Sequence, residues 1–249
     1  MERPDLYVFA ISHYCEKARW ALDYLGIEYE LRHLAPGRHM EVAAQLGAPG
    51  SSLPLLVSGE QVVQGSSAII DWAEATAATP SKRLDPALEF AAECRALERR
   101  LDDLVGVHGR RYYYSEALVD YPDTVLPIFA RDLVPEERSL IEENWGVTRQ
   151  LMMGLMDLGP EQWEESRRIV IDELDWFDGL IADGRRFLVG DRFSRADITA
   201  ASILAVLALP SEHPTYAALE IPPNARADLE RWSQRPAVAW VREIYRAYR

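Results

Sequence analysis

The sequence is poor in cysteine and in positive charge, and it has no long apolar run. Its 249 residues include only two cysteines, Cys15 and Cys94, which excludes a disulfide framework, and neither has metal-type partners at the right spacing. No metal is therefore expected. Lys and Arg number 27 against 40 Asp and Glu, giving a formal net charge of −13 at pH 7. Nucleic acids and anionic membrane surfaces both demand clustered cations, so neither is an expected partner. No apolar stretch approaches the ~18 residues that span a bilayer. The opening MERPDLYVF lacks the charged-then-apolar pattern of a secretory signal. The expected location is a reducing, cytoplasmic one.

What the sequence does contain is enough apolar material for a full core, 48% hydrophobic and 10% aromatic, and enough length for two domains. The organising stretch is 6–25, LYVFAISHYCEKARWALDYL. Residues 6–10 read as a short strand covered on both faces. Ser12 stands where a helix N-cap belongs, apolar residues from Cys15 to Leu25 then recur at helical spacing, and Gly26 is placed as the stop. Such a strand-to-helix turn aims unpaired N–H groups and the positive end of a helix dipole at one point beside Ser12, which suits a carboxylate or a thiolate.

Residues 27–34 alternate as a second strand, so the first three elements form a β-α-β unit with parallel strands. A short helical piece at 37–46 ends in the breakers Gly47, Pro49, Gly50, Ser51 and Ser52. Two apolar runs, 53–57 and 60–63, flank Ser58-Gly59 and read as a hairpin, and Gln64-Gly65-Ser66-Ser67 leads into a helix at 68–77. A polar linker with a proline, 79–85, closes this first domain at residue 78. Beyond it strand signals cease. Stretches 86–114, 135–158, 160–182, 194–209 and 224–248 read as helices, so 86–249 is expected to be an all-helical domain. In the first of them Leu88, Ala92, Leu97, Leu101, Leu104 and Val105 keep an apolar stripe. Ser194 and Asp197 have capping-box spacing, Phe193 and Ile198 are placed for a hydrophobic staple, and the helix that follows is apolar nearly all round, as a central buried helix is.

Four stretches in this order resemble the glutathione S-transferase superfamily. Ser12-His13-Tyr14-Cys15-Glu16-Lys17-Ala18-Arg19 is similar to the active-site turn S-P-Y-C-x-K-A/V-R. Leu53-Pro54 is similar to a V-P dipeptide whose proline is cis. Gln64-Gly65-Ser66-Ser67-Ala68-Ile69 is similar to E/D-S-x-A-I, and residues 187–197 to F-L-x-G-D-x-F-S/T-x-A-D. The resemblance implies a thioredoxin-like α/β domain that holds glutathione as co-substrate, and an all-helical domain that completes a cleft for a small hydrophobic electrophile. It also implies a homodimer. The implied activity is conjugation of the glutathione thiolate, or reduction of a glutathione mixed disulfide, with a non-catalytic binding or scaffold protein as the alternative.

Each implied site residue also has a plainer reading. Ser12 is the candidate activator, since a hydroxyl donating to the glutathione sulfur favours thiolate over thiol; it is equally placed as a simple N-cap. Cys15 is either a redox thiol or a buried core residue. His13 replaces the pattern's proline and reads as an exposed loop residue or as a neighbour that tunes the thiolate. Leu53 and Pro54 are expected to offer backbone to the cysteinyl unit, while Gly65, Ser66 and Ser67 hold the γ-glutamyl carboxylate at a helix start. Gly65 stands where the family has an acid. His13, Arg111, Tyr112 and Tyr113 suit an electrophile pocket, the last three alternatively packing as core. Lys17 and Arg19 are expected to be solvated or structural, and Cys94 to be a small core residue.

Overall fold

In the computed structural model, which describes residues 3–78 and 82–249, the first apolar run forms strand β1, Asp5–Val8, with Leu6 and Val8 wholly buried. Ser12 caps helix α1, His13–Leu25, its Oγ accepting from the Cys15 N–H at 3.3 Å. Gly26 ends that helix at φ 71°, the left-handed conformation that a residue without Cβ adopts freely. Strand β2, Glu30–His33, lies parallel to β1 with Val8 opposite His33. Helix α2, Arg38–Gln45, follows. Strand β3, Leu55–Ser58, runs antiparallel to β1 with Leu55 opposite Tyr7, and β4, Gln61–Gln64, pairs antiparallel with β3 so that Gln64 faces Leu55. Helix α3, Ser66–Thr76, packs Ile69, Ile70 and Ala73 inward. The sheet order β2-β1-β3-β4 is the thioredoxin-like arrangement. Of the expected linker 79–85, residues 79–81 lie outside the described residues.

The chain forms two compact units, Met1–Leu84 with Leu126–Met152, and Asp85–Val125 with Met153–Arg249. Residues 126–152, which sequence patterning groups with the helical half, thus belong to the first unit. Their attachment is aromatic and ionic: the Phe9 and Phe129 rings meet edge-on at 6.1 Å, and Arg38 lies 3.6 Å from Glu137.

The helices themselves differ from the sequence reading in their breaks. The stretch at 86–114 opens late, as α4 at Ala91–Arg100, passes through a π-helical stretch at Leu101–Gly106 and continues as α5, Val107–Asp120. Leu88 and Ala92 are exposed, and the buried stripe is Cys94, Leu97, Leu101 and Val105. Helix α6, Pro122–Phe129, accommodates Pro127 internally. The stretch 135–158 divides at Asn144 into α7, Pro135–Glu143, and α8, Trp145–Met156. After α9, Pro160–Leu180, and α10, Arg195–Ala208, the last stretch divides into α11, Pro223–Trp232, and α12, Pro236–Tyr248. Pro236 is the cause of that break: its ring forces Arg235 to an extended conformation (φ −68°, ψ 144°) and then serves as a helix start.

The second unit is built on α10, nearly all of whose residues are buried. Its capping box is present. Asp197 accepts from the Ser194 N–H and hydroxyl at 2.8 and 2.9 Å, and from the Leu188 N–H at 2.8 Å. Arg195, with no exposed surface, pairs with Glu98 at 3.0 Å and Asp85 at 3.1 Å. Burial raises the Asp197 carboxyl from its ordinary 3.8 to about 6 against those hydrogen bonds. An acid whose pKa is higher folded than unfolded takes up a proton on folding between the two values, so its contribution to stability grows as pH falls through about 6 and is complete below about 4. We expect Asp197→Asn to be less stable than the parent at neutral pH by about 1–3 kcal/mol. We also expect it to lose that pH slope, as denaturant melts across the acid range will report.

Candidate active site

Strand register assembles the site. Because β3 starts opposite the end of β1, and β4 ends opposite the start of β3, three junctions fall at one end of the sheet. They are the turn into α1 with Ser12, the segment Leu53-Pro54, and the start of α3 at Gly65 and Ser66. The turn into α2 at Gly37 lies at the same end, since β2 runs parallel to β1. Helix starts carry unpaired N–H groups and partial positive charge, so this end favours an anionic, extended ligand.

Ser12 is half-buried, and its hydroxyl also hydrogen-bonds the Cys15 sulfur. Cys15 itself is enclosed at 1% exposure, with its sulfur accepting from the Phe9 N–H at 3.4 Å. Burial pushes its thiol up to about 11, despite the hydrogen bonds from Ser12 and Phe9. His13, read from sequence as an exposed loop residue, is instead the first residue of α1 and is buried, its ring 4.2 Å from that of Tyr14. Lys17 likewise is not solvated: it has no exposed surface, and its Nζ donates to Ser67 Oγ at 3.0 Å, tying α1 to α3.

The Leu53–Pro54 bond is cis. The Gly65 N–H donates to the Pro54 carbonyl at 3.0 Å, extending the β3–β4 ladder by one step. One residue further, the N–H and C=O of Leu53 have no hydrogen-bond partner among the described residues. That is a strand edge ready to pair with another extended chain. Gly65, at φ 92°, is the residue that precedes α3 and offers no side chain to cap it. Ser66 is therefore a first-turn residue rather than the cap, buried to 5% exposure with its hydroxyl unpartnered among the described residues. Ser67 is taken by Lys17.

Arg111, Tyr112 and Tyr113 belong to the other unit and are occupied there. Arg111 binds the Asp157 carbonyl at 2.9 Å and Glu165 at 2.7 Å. Tyr112 donates to Asp228 at 3.1 Å and stacks on Trp163, and Tyr113 donates to the Glu220 carbonyl at 3.2 Å. Burial, with Asp228 and Glu220 beside them, holds both phenols well above their ordinary range. Within their unit the two tyrosines are buried at 1% and 4% exposure, as the core-packing alternative has them.

Patterning did not single out the aromatic group beside the turn, Phe9 with His39 at 4.8 Å and Phe129 with Trp145 at 6.4 Å. The cause is sequence distance. Among the described residues no group of His, Cys, Asp and Glu is arranged to hold a metal, and no helix is long and apolar enough to cross a membrane. Cys94 is fully buried, and burial pushes its thiol up to about 11 as well. Neither cysteine is expected to react with a thiol-specific disulfide reagent at neutral pH in the folded protein, and both are expected to react after denaturation, read as absorbance of the released thiol.

Comparison with known proteins agrees with this geometry. Residues 6–81 match the model of the glutathione S-transferase N-terminal domain, and residues 160–235 match that of its C-terminal domain. A glutathione S-transferase of Arabidopsis thaliana, TCHQD, is 24% identical over 212 residues, covering 82% of this chain and 77% of the relative. A glutathione transferase structure from Phanerochaete chrysosporium superposes with a TM-score of 0.66 at 21% identity, covering 100% of this chain and 98% of the other. One from Ceriporiopsis subvermispora, in complex with glutathione, gives 0.65 at 17%, covering 99% and 98%. With both of its characteristic domains in order and its sheet end built as described, the chain belongs to the glutathione S-transferase superfamily.

Proposed function

We propose that the chain binds glutathione at this sheet end and transfers its thiolate to a small hydrophobic electrophile, as a cytoplasmic homodimer suited to detoxifying conjugation. The observation that carries this reading is the half-buried Ser12 hydroxyl at the start of α1, on the same sheet end as the unpaired Leu53 backbone. The cysteinyl unit would pair with Leu53, and its sulfur would then lie toward Ser12. The hydroxyl rotates about one bond to donate to that sulfur, while Cys15 keeps the Phe9 N–H. A free thiol titrates near 8.5, so lowering it by about two units, worth ~2.7 kcal/mol, makes thiolate dominant at neutral pH. The γ-glutamyl carboxylate suits the first-turn N–H groups and the hydroxyl of Ser66. In the reaction the thiolate sulfur forms a bond to the electrophilic carbon, and the leaving group departs with its electron pair. Proximity and ionisation supply the rate gain, with no covalent enzyme intermediate.

The buried Cys15 thiol, pushed up to about 11, disfavours the disulfide-reducing alternative. Gly65, lacking an acid toward the peptide's ammonium, favours the scaffold alternative. Calorimetric titration with glutathione separates these: heat saturating in the micromolar-to-millimolar range is expected, and none at millimolar ligand leaves the scaffold reading. With a generic aromatic electrophile, Ser12→Ala is expected to lose about tenfold in turnover near pH 7 and to recover toward the parent rate above pH 9, where thiolate forms unaided. Cys15→Ala is expected to keep turnover. Loss of activity in Cys15→Ala alone would reverse the assignment.

A further inference from the structure

The Leu53 edge is held from a direction that the active-site turn does not explain. Gln64 is the last residue of β4, opposite Leu55, and its side chain crosses back over the start of the hairpin. Its Nε2 donates to two carbonyls at once, Gly50 at 2.8 Å and Ser52 at 2.8 Å. These are the residues that lead into Leu53. The approach is close. A Cβ at Gly50 would stand 3.3 Å from the Gln64 Oε1, so the glycine is what lets the amide reach in. The main chain on the other side is fixed too, by the Gly65 N–H on the Pro54 carbonyl. Leu53 therefore sits between two anchored points with its own N–H and C=O unused.

We propose that Gln64 is a positioning residue for glutathione: its amide clamps the 50–52 loop so that the Leu53 backbone is presented, already extended, to the cysteinyl unit. This rests on the glutathione reading above. The clamp acts on binding, because a loop ordered before the ligand arrives does not have to be ordered by it. It does not act on the sulfur, which lies toward Ser12 at another junction. Both arms of the clamp need a donor. A carboxylate of the same shape would turn acceptor oxygens toward two carbonyls and release the loop.

Gln64→Glu and Gln64→Ala, with Gly50→Ala as an independent way to displace the same amide, test this against the parent. We expect about tenfold weaker glutathione binding by calorimetry in both Gln64 variants, and a smaller loss in the same direction in Gly50→Ala. We also expect a matching rise in KM for glutathione, with kcat at saturating glutathione and the pH midpoint of the bound thiolate unchanged. A merely structural role would lower the melting temperature without this split between KM and kcat. Should the parent bind glutathione while Gln64→Glu, Gln64→Ala and Gly50→Ala all bind it equally well, the positioning role is overturned and the glutathione reading survives. Should the parent itself not bind, both fall.

Discussion

Pairing Leu55 with Tyr7, and Gln64 with Leu55, decides more of this protein than any single side chain does. Side chains on a strand alternate, so a slip of one residue would exchange the groups on the two faces of β3. Leu55 and Leu56, on opposite faces, are both fully buried, so β3 is packed on both sides and a slip would misplace each side chain in its own packed layer. Once that register is set, the ends of β1 and β4 and the beginning of β3 arrive at one place, bringing the helix starts at Ser12 and Ser66 with them. The chemistry of the site is therefore largely backbone chemistry. It consists of two helix starts, a strand edge at Leu53 without a partner among the described residues, and one hydroxyl at the point where the first helix begins.

Much of the first unit was legible in the sequence because its signals are local. The apolar run, the cap at Ser12, the stop at Gly26 and the hairpin each depend on neighbours a few residues away. The first three appear where patterning places them, and the hairpin turn falls one residue later than expected, at Gly59 and Glu60, with Ser58 paired to Gln61. The capping box at Ser194 and Asp197 was legible for the same reason. Most of what patterning left open depends on contacts remote in sequence. Of the two alternatives open for Lys17, solvated or structural, Ser67 decides for the structural one, and nothing near Lys17 in sequence could have chosen. The burial of His13 was missed although Ser12 as N-cap already makes it the first helical residue. Tyr112 is open between pocket and core from sequence, and the partner of its hydroxyl, Asp228, lies far along the chain. The attachment of residues 126–152 to the first unit has no local signature, since it depends on Phe9, Arg38 and their distant partners. The break before Pro236 was missed by reading 224–248 as one helix, although its signal, the proline, is local.

Each unit also contains charge in its interior. In the second, Arg195 and Glu98 pair without solvent beside the carboxylate of Asp197. Removing one member of such a group leaves its partner buried without compensation, which costs about 3–5 kcal/mol. These groups consequently specify how α4 and α10 meet more strictly than apolar contact would, because an apolar surface tolerates sliding and a bidentate pair does not.

The ammonium of Lys17 has the same character in the first unit, with a consequence for the two helices it joins. It sits between the first two turns of α1 and the opening of α3, where it works as a spacer gauge between two helix beginnings. The spacing of those two helix beginnings is therefore set by a buried charge reaching from one to the other, and a shorter or neutral side chain there would let α1 and α3 shift independently.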